Sequence, residues 1–189
     1  MSAPKGLASY WVEPGRLLAG AYPGSPHPAD ARAKLAWLRG QGVRSFVDLT
    51  EPGEVTRLGR LVPYAPLLTE AAGNGGPAAA YLQLPVPDLS VPTRAGMRAL
   101  LDRLDRDARE GRPVYLHCLG GRGRTGTVVA CWLVRHAPRL LGTADPSWAR
   151  ERALRAIVEL RRAHDVPDPE GSPETPAQFA LVRTWAVGE

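Results

Sequence analysis

Short apolar segments alternate with amphipathic ones along this chain, and this alternation limits the possible folds more than any other feature. Residues 42–50, 79–86 and 112–118 are brief runs rich in Val, Leu and aromatic side chains, and they predict buried strands. Strands that alternate with helices form a largely parallel sheet covered on both faces. The sequence therefore predicts an α/β fold. In such a sheet a ligand binds where the carboxyl ends of strands meet the amino ends of helices.

Amphipathic spacing and capping residues place four helices around these strands, and a fifth helix is expected to start near Arg124. The four are predicted over residues 28–42, after the N-cap Thr93, from Asp145 and Pro146 to about residue 164, and after residue 178. The longest stretch with no predicted element is 51–78.

Composition is that of one folded domain, because 44% of the 189 residues are hydrophobic and 23% are charged. We expect residues 1–189 to form a single domain. The first twenty residues lack a basic start followed by an apolar run, and no segment is apolar enough to cross a bilayer. The sequence thus predicts a cytoplasmic protein with no membrane span.

The formal charge of +5 comes almost entirely from arginine, since Lys5 and Lys34 are the only lysines. Arginine suits two-point contacts to phosphate or carboxylate, so an anionic partner is expected. The basic residues are spread among nineteen acidic ones, with no basic arm and no interleaved aromatic side chains. We therefore expect no nucleic-acid partner.

The cysteines and histidines do not form a metal-binding or disulfide pattern. Cys118 and Cys131 are not in a CxxC pair, and the four histidines are far apart in sequence. Cys131 is expected about two turns, ~10 Å, into the helix that starts near Arg124. It is too far from Cys118 for a disulfide bridge without rearrangement. Its expected role is core packing. We predict neither a metal nor a cofactor.

The turn "HCLGGRGRTG", residues 117–126, joins a predicted strand to a predicted helix. Its glycines can direct their amides inward, and the helix that follows adds its free N–H groups and positive end. Such a concave set of donors binds a small anion. The residues expected to surround the anion are Leu119, Gly120, Gly121, Arg122, Gly123 and Arg124.

Cys118 lies at the base of this turn, where the positive surroundings favour a thiolate that acts as a nucleophile. Arg124 follows six residues later and can return its guanidinium to the same anion.

This turn resembles the signature His-Cys-x-x-Gly-x-x-Arg-Thr of the cysteine-dependent protein tyrosine and dual-specificity phosphatases. It matches at His117, Cys118, Gly121, Arg124 and Thr125. The resemblance implies that the cysteine attacks phosphorus and the arginine grips the phosphoryl oxygens. It also implies that the threonine hydroxyl helps the thiolate leave and that the histidine supports the reactive thiolate from behind.

This chemistry also needs an acid that protonates the leaving group. The segment "LPVPDLSVP" supplies Asp88, thirty residues before Cys118, and is similar to the acid loop of small dual-specificity phosphatases. Asp88 is thus predicted as general acid and then general base. The segments 9–24 and 172–182 also look like the first and last segments of bacterial members. The resemblance implies a mainly parallel sheet of four to five strands between helices.

Other polar residues leave alternatives open. Arg122 could hold a second phosphate or point to solvent. Glu51 and Glu54 could orient arginines at the pocket edge, although a solvated loop is favoured. Family analogy suggests that Gln178 places water. The arginines at 150, 152, 155, 161 and 162 are expected on a solvated helix face, as are Asp102, Asp105 and Asp107.

Other classes of protein explain the turn less well. The pattern Gly121-x-Gly123-x-x-Gly126 also occurs in dinucleotide-binding folds, with Asp145 about twenty residues on, but Asp145 ends no predicted strand. A triphosphate-binding loop needs a lysine where Arg124 stands. A sulfurtransferase has no need of Asp88, and a phosphate-reading binding module is expected to lack the cysteine or the acid.

The sequence therefore predicts a metal-independent phosphatase that acts through a phosphocysteine intermediate. The expected substrates are phosphorylated proteins, with phosphotyrosine first and phosphoserine and phosphothreonine second. Phosphoinositides or inositol phosphates, which are anionic phosphorylated small molecules, are the alternative because of Arg122.

Overall fold

The computed structural model describes residues 3–57, 59–73 and 78–189. The strands are β1 (Ser9–Glu13), β2 (Leu17–Gly20), β3 (Ser45–Asp48), β4 (Val55–Thr56), β5 (Gly59–Arg60), β6 (Ala80–Gln83) and β7 (Val114–His117). The helices are α1 (Pro28–Gly40), α2 (Ala65–Gly73), α3 (Arg94–Arg109), α4 (Gly123–Arg135), α5 (Ala137–Leu140), α6 (Pro146–Ala163) and α7 (Pro176–Thr184).

The main sheet of the described chain has five strands in the order β1-β2-β7-β3-β6. Strands β2, β7, β3 and β6 are parallel, and β1 is antiparallel to β2 at one edge. His117, the last residue of the central strand β7, pairs with Gly20 on one side and Asp48 on the other. The expected α/β fold with a mainly parallel sheet is confirmed, and the segment after His117 lies at the middle of its carboxyl edge.

Alternating side chains divide the core between the two faces of the sheet. Val47 and Leu116 point towards α3, α4, α6 and α7, whereas Phe46 and Tyr115 point towards α1 and α2. The central strands are buried on both faces, so they appear as short apolar runs in the sequence. This burial explains why three strands could be predicted from their sequence.

The elements that the sequence did not predict are short, or they are strands that form only by pairing with a neighbouring strand. The β1–β2 hairpin turns at Gly15, whose φ of +73° suits glycine. Residues 51–78 hold the small β4–β5 hairpin and helix α2, so the expected irregular stretch is wrong in that part. Positions 58 and 74–77 of this stretch lie outside the described residues.

The predicted caps are present. The hydroxyl of Thr93 accepts a hydrogen bond from Gly96 N at 3.0 Å, and the carboxylate of Asp145 accepts one from Trp148 N at 2.9 Å. Cys131 is buried inside α4, and burial raises the pKa of its thiol well above the ordinary range. Its predicted role in core packing is therefore consistent with its position, since an undissociated thiol packs as a small apolar group.

Two acidic side chains of α3 are buried, although the sequence suggested a solvated face. Asp107 accepts hydrogen bonds from Ser45 Oγ at 2.7 Å and from Arg103 Nε at 2.9 Å. Asp105 pairs with Arg135 at 3.0 Å. Ser45 and Arg135 lie 62 and 30 positions from the carboxylates that they contact, so the helical pattern of α3 does not reveal these partners. Only Asp102 of the three is exposed.

None of the helices in the described ranges is long and apolar enough to span a bilayer.

Candidate active site

Cys118 lies at the base of a cleft of about 320 Å³ at the carboxyl edge of the sheet. It follows β7 directly, and its residue is 3% exposed. The cleft is lined by the turn after β7, by Asp88, by the end of α6 and by the segment that leads to α7. The structure thus brings together Cys118, Arg124 and Asp88, which come from two separate parts of the chain.

The turn keeps its shape because Gly121 packs directly against β2. Gly121 has a φ of +66°, and a Cβ there would lie 2.4 Å from the carbonyl carbon of Gly20 and 2.5 Å from its oxygen. A neighbouring bond runs from Tyr22 N to Leu119 O at 2.9 Å. Only glycine fits at position 121, so the edge of β2 fixes the path of the turn.

His117 is held neutral beneath the turn. Its Nδ1 lies 3.2 Å from the carbonyl oxygen of Cys118, and its Nε2 lies 2.6 Å from the hydroxyl of Tyr64. Since a carbonyl only accepts, Nδ1–H donates and Nε2 accepts the Tyr64 proton. Burial lowers the pKa of His117, and the Asp48 carboxylate opposes that shift without cancelling it. The ring therefore positions the Cys118 backbone rather than carrying charge.

Asp48 anchors the neighbouring strand end and was not singled out in the sequence. Its Oδ1 accepts hydrogen bonds from Thr50 N at 2.8 Å and Thr50 Oγ1 at 2.7 Å, and its Oδ2 accepts one from Tyr81 at 3.0 Å. The only sequence signal is its place at the end of a predicted strand. These bonds fix the start of the segment that carries Glu54.

Arg124 forms a two-point ion pair with Glu54. The Arg124 side chain is 2% exposed, and its Nη1 and Nη2 donate to the two Glu54 oxygens at 2.7 and 2.8 Å. Burial acts to lower the pKa of Arg124, but the hydrogen bonds to Glu54 and the nearby Cys118 and Asp88 together raise that pKa above its ordinary value. Burial acts to raise the pKa of Glu54, but its bonds to Arg124 and to the backbone of Glu51 together bring that pKa below its ordinary value.

The favoured expectation that Glu54 is solvated is therefore wrong, and the alternative that it orients an arginine is confirmed. The tight turn after β3 returns the chain over the cleft, and this brings together residues that are 70 positions apart. Glu51 is exposed, as expected, and donates its backbone N–H to Glu54 at 3.1 Å. The sequence signal that could have found Glu54 is the turn-forming "EPGE" after a buried strand.

Two buried polar atoms in the turn have no hydrogen-bond partner among the described residues. They are Arg124 Nε and Thr125 Oγ1. Arg124 lines the cleft, so a ligand with acceptor atoms that binds there would give its Nε a partner. Together with the amino end of α4, these atoms form a site suited to a tetrahedral anion.

Asp88 lies at the open side of the cleft, with Oδ1 3.0 Å from Arg124 Nη2 and its side chain 58% exposed. The next residue, Leu89, has a φ of +59°. Two side chains of the α7 N-terminus hold this loop, since Thr175 Oγ1 donates to Leu89 O at 3.2 Å and Gln178 Nε2 donates to Ser90 O at 3.1 Å.

Gln178 uses both ends of its amide on backbone groups. Its Oε1 accepts hydrogen bonds from Glu174 N at 2.9 Å and Thr175 N at 3.2 Å, and its Nε2 is bound to Ser90. It is completely buried. The expectation that Gln178 places water is therefore wrong, because the side chain clamps the acid loop to the capping box of α7.

Arg122 donates to Asp168 Oδ2 at 2.7 Å and to Glu174. Its carbonyl accepts a bond from Ser172 Oγ at 2.9 Å. Arg122 thus neither points freely to solvent nor stands free for a second phosphate. The sequence left these two outcomes open because both carboxylates follow α6, more than forty residues later.

Arg161 is buried, although the sequence placed it on a solvated helix face. It is 1% exposed, and it donates to Gly121 O at 2.9 Å, Pro167 O at 3.0 Å and Asp168 O at 3.2 Å. These bonds tie the turn to the segment after α6. Arg161 continues the buried positions Ala149, Ala153 and Ile157 of α6 at a spacing of four, but its charge suggested a solvated position because the carbonyls that it binds lie outside the helix.

The glycines shared with dinucleotide-binding folds have other tasks here. A Cβ on Gly123 would lie 2.6 Å from Glu174 Oε2, and one on Gly126 would lie 2.0 Å from Ser172 Oγ. Both glycines therefore admit the segment that leads to α7. Asp145 caps α6 and does not end a strand. The dinucleotide alternative lacks structural support.

Comparison with known proteins gives a consistent result. A family model described as Swiss Army Knife protein, DSP-PTPase phosphatase domain, matches residues 8–169. An uncharacterised protein of Methanocaldococcus jannaschii, MJECL20, is 41% identical over 85 residues, which cover 44% of this chain and 54% of that protein. Phosphatidylglycerophosphate phosphatase PTPMT2 of Arabidopsis thaliana is 30% identical over 148 residues, which cover 76% of this chain and 54% of that protein.

The chain thus spans about half the length of these curated relatives. The crystal structure of Tk-PTP in the active form is similar over nearly the whole chain. Its TM-score is 0.63 at 25% identity, and the match covers 93% of this chain and 94% of that one.

Proposed function

This chain belongs to the Swiss Army Knife DSP-PTPase phosphatase family, and from that premise we propose that it hydrolyses phosphate monoesters through a phosphocysteine intermediate without a metal ion. The resemblance drawn from the turn 117–126 is thereby confirmed at the level of the family. One observation carries the proposal. Cys118 and Asp88 line the same cleft, and Arg124 Nη2 lies 3.0 Å from Asp88.

The first step forms a bond from Cys118 Sγ to phosphorus and breaks the bond from phosphorus to the leaving oxygen. The amino end of α4 favours the attacking thiolate. Amides of the turn and the guanidinium of Arg124 hold the phosphoryl oxygens, whose charge spreads in the transition state. Asp88 transfers its proton to the leaving oxygen, so an alcohol or a phenol departs.

The second step hydrolyses the phosphocysteine. Asp88, now a carboxylate, accepts a proton from water as the water oxygen bonds to phosphorus. The bond from phosphorus to sulfur breaks, and inorganic phosphate and the thiolate are formed. The unpartnered hydroxyl of Thr125 is next to Arg124 in the first turn of α4, and we assign it the stabilisation of that thiolate.

Arg124 works from a fixed position. Glu54 accepts hydrogen bonds from two N–H groups of Arg124, and Arg124 Nη1 also donates to Val86 O at 3.1 Å. A guanidinium that is already oriented loses little conformational freedom when the phosphoryl group arrives. Glu54 is therefore a positioning residue of the proposed mechanism.

The proposed substrates are phosphorylated proteins, with phosphotyrosine first and phosphoserine or phosphothreonine second. We propose that residues 1–189 form one catalytic domain. The second candidate is an anionic phosphorylated lipid or inositol phosphate, which is favoured by similarity to a phosphatidylglycerophosphate phosphatase. A sulfurtransferase and a binding module both leave the position of Asp88 beside Arg124 unexplained.

The test is hydrolysis of p-nitrophenyl phosphate in the presence of EDTA between pH 5 and 8. The wild type should turn over, and Cys118→Ser should not. Cys131→Ala is the matched control, because it removes the other buried thiol at a site inside α4. Loss of wild-type turnover on chelation would contradict the metal-independent mechanism. Absence of turnover altogether would favour a binding module or a sulfurtransferase, which an assay with thiosulfate and cyanide would separate.

A further inference from the structure

Asp168 and Glu174 place two carboxylates at the wall of the catalytic cleft, on either side of the Arg122 guanidinium. Both line the cleft together with Cys118 and Arg124. Arg122 donates to Asp168 at 2.7 Å and also to Glu174, and its side chain remains 36% exposed. The hydrogen bonds of the two carboxylates raise the pKa of Arg122 above its ordinary value, although its partial burial opposes this.

The backbone of both residues is held in place by buried side chains. Buried Arg161 donates to the carbonyls of both Gly121 and Asp168, at 2.9 and 3.2 Å. The N–H of Glu174 donates to Gln178 at 2.9 Å, and its side chain packs against Gly123. The acidic wall is therefore built into the same framework as the phosphate-binding turn.

The charges of the cleft do not match those of a site for several phosphates. Three arginines line it in the described chain, namely Arg122, Arg124 and Arg161. Three carboxylates line it as well, namely Asp88, Asp168 and Glu174. Glu54 adds a fourth carboxylate, which is paired with Arg124. A second phosphate close to the reacting one would meet Asp168 and Glu174, and Arg122 could bind it only by leaving both.

We propose that Asp168 and Glu174 are specificity-determining residues that restrict the cleft to substrates whose reacting phosphoryl group is the only phosphate near the turn. The substrate class is thus an isolated phosphate monoester with neutral or cationic neighbours. Multiply phosphorylated inositols and closely spaced phosphopeptides are disfavoured through like-charge repulsion. This inference rests on the proposed function and narrows its substrates.

The experiment compares two synthetic peptides of one sequence. The first carries phosphotyrosine alone, and the second carries phosphoserine beside the same phosphotyrosine. Loss of the tyrosine phosphate is followed by mass spectrometry, and p-nitrophenyl phosphate serves as the reference substrate. The wild type should prefer the singly phosphorylated peptide by about tenfold in kcat/KM, and the preference should shrink in high salt as the repulsion is screened.

The double variant Asp168→Asn/Glu174→Gln should reduce that preference to about threefold or less, because it removes both carboxylates and frees Arg122. The matched control is Asp165→Asn/Glu170→Gln, which removes two exposed carboxylates that do not line the cleft and should keep the wild-type preference.

Equal wild-type efficiency on the two peptides would overturn this inference and leave the proposed function intact. A preference that is unchanged in the double variant would also overturn it. If that variant does not fold, the salt dependence of the wild-type preference tests the inference instead. A preference that stays the same in high salt is not electrostatic and would also overturn it. Absence of wild-type turnover on every substrate, p-nitrophenyl phosphate included, would overturn the proposed function and this inference together.

Discussion

Glu54 and Arg124 share two hydrogen bonds of 2.7 and 2.8 Å, and both side chains are nearly inaccessible to solvent. The guanidinium keeps its Nε free of any partner in the described chain. This division leaves one edge of the arginine fixed to the protein and another available for an anion.

Glu54→Gln should lower kcat/KM for p-nitrophenyl phosphate by about tenfold to a hundredfold, because an uncharged partner holds the guanidinium less firmly. Inhibition by inorganic phosphate should weaken as well, which measures the ground-state contact apart from turnover. Glu51→Gln, at an exposed carboxylate in the same turn, is the control and should behave as the wild type. Unchanged phosphate inhibition in Glu54→Gln would contradict the positioning role.

Asp88→Asn should reduce turnover in proportion to the basicity of the leaving group. We expect a loss of about a hundredfold or more for phenyl phosphate, since general acid catalysis contributes about 10²–10⁴. p-Nitrophenyl phosphate should lose far less, because its leaving group needs little protonation. Asp102→Asn, an exposed carboxylate on α3, is the comparison variant. Equal losses on both substrates would show that Asp88 is not the acid.

Thr125→Ala should slow breakdown of the phosphocysteine more than its formation, because the missing hydroxyl no longer stabilises the departing thiolate. Rapid mixing with p-nitrophenyl phosphate should then show a burst of p-nitrophenol close to one equivalent, followed by a slow steady state. A steady-state loss without a burst would place the effect in the first step instead.

Gly121→Ala should destabilise the fold by about 2–4 kcal/mol, since it combines positive φ with overpacking. A Cβ at this position meets the backbone of Gly20, which cannot move without disturbing β2. Gly120→Ala is the matched control, because no atom lies within 4 Å of its Cβ position. Urea unfolding of both variants measures the difference, and equal midpoints would contradict the packing argument.

The neutral state of His117 predicts how stability depends on pH. Its pKa in the folded protein is below the unfolded value because of burial, so the unfolded chain binds a proton first. Stability should therefore fall as pH drops below about 6.5, the ordinary value for histidine. His117→Asn should show a smaller loss of unfolding free energy between pH 7.5 and 5.5. His27→Gln, at an exposed position, should retain the wild-type slope.

The sequence was sufficient to predict those features that depend only on residues close together in the chain. The turn from Cys118 to Arg124 spans seven residues between a strand and a helix, so composition and spacing sufficed. Asp88 was singled out because the expected chemistry requires an acid and this residue follows a predicted strand. The family was inferred from these features, and the parallel sheet from the alternation of predicted strands and helices.

The remaining contacts depend on how distant segments fold together. Glu54 looked like a loop residue because its partner lies 70 positions away. Arg161 looked exposed because its acceptors are backbone carbonyls, which every residue carries. Asp107 looked solvated because Ser45, which donates a hydrogen bond to its carboxylate, lies 62 positions away on β3. In each case one helix or loop contains only half of the interaction.

Gln178 has a consequence for the timing of events in the cleft. One amide is bound to the acid loop at Ser90 and to the N-terminus of α7, and it lies 3.0–3.1 Å from the Cβ position of Gly123 at the start of α4. The acid loop cannot move away from α7 unless the hydrogen bond between Gln178 and Ser90 breaks or Gln178 moves with the loop. The loop that carries Asp88 and the turn that carries Cys118 are therefore linked through one side chain, and their motions on the microsecond to millisecond scale should share a single rate.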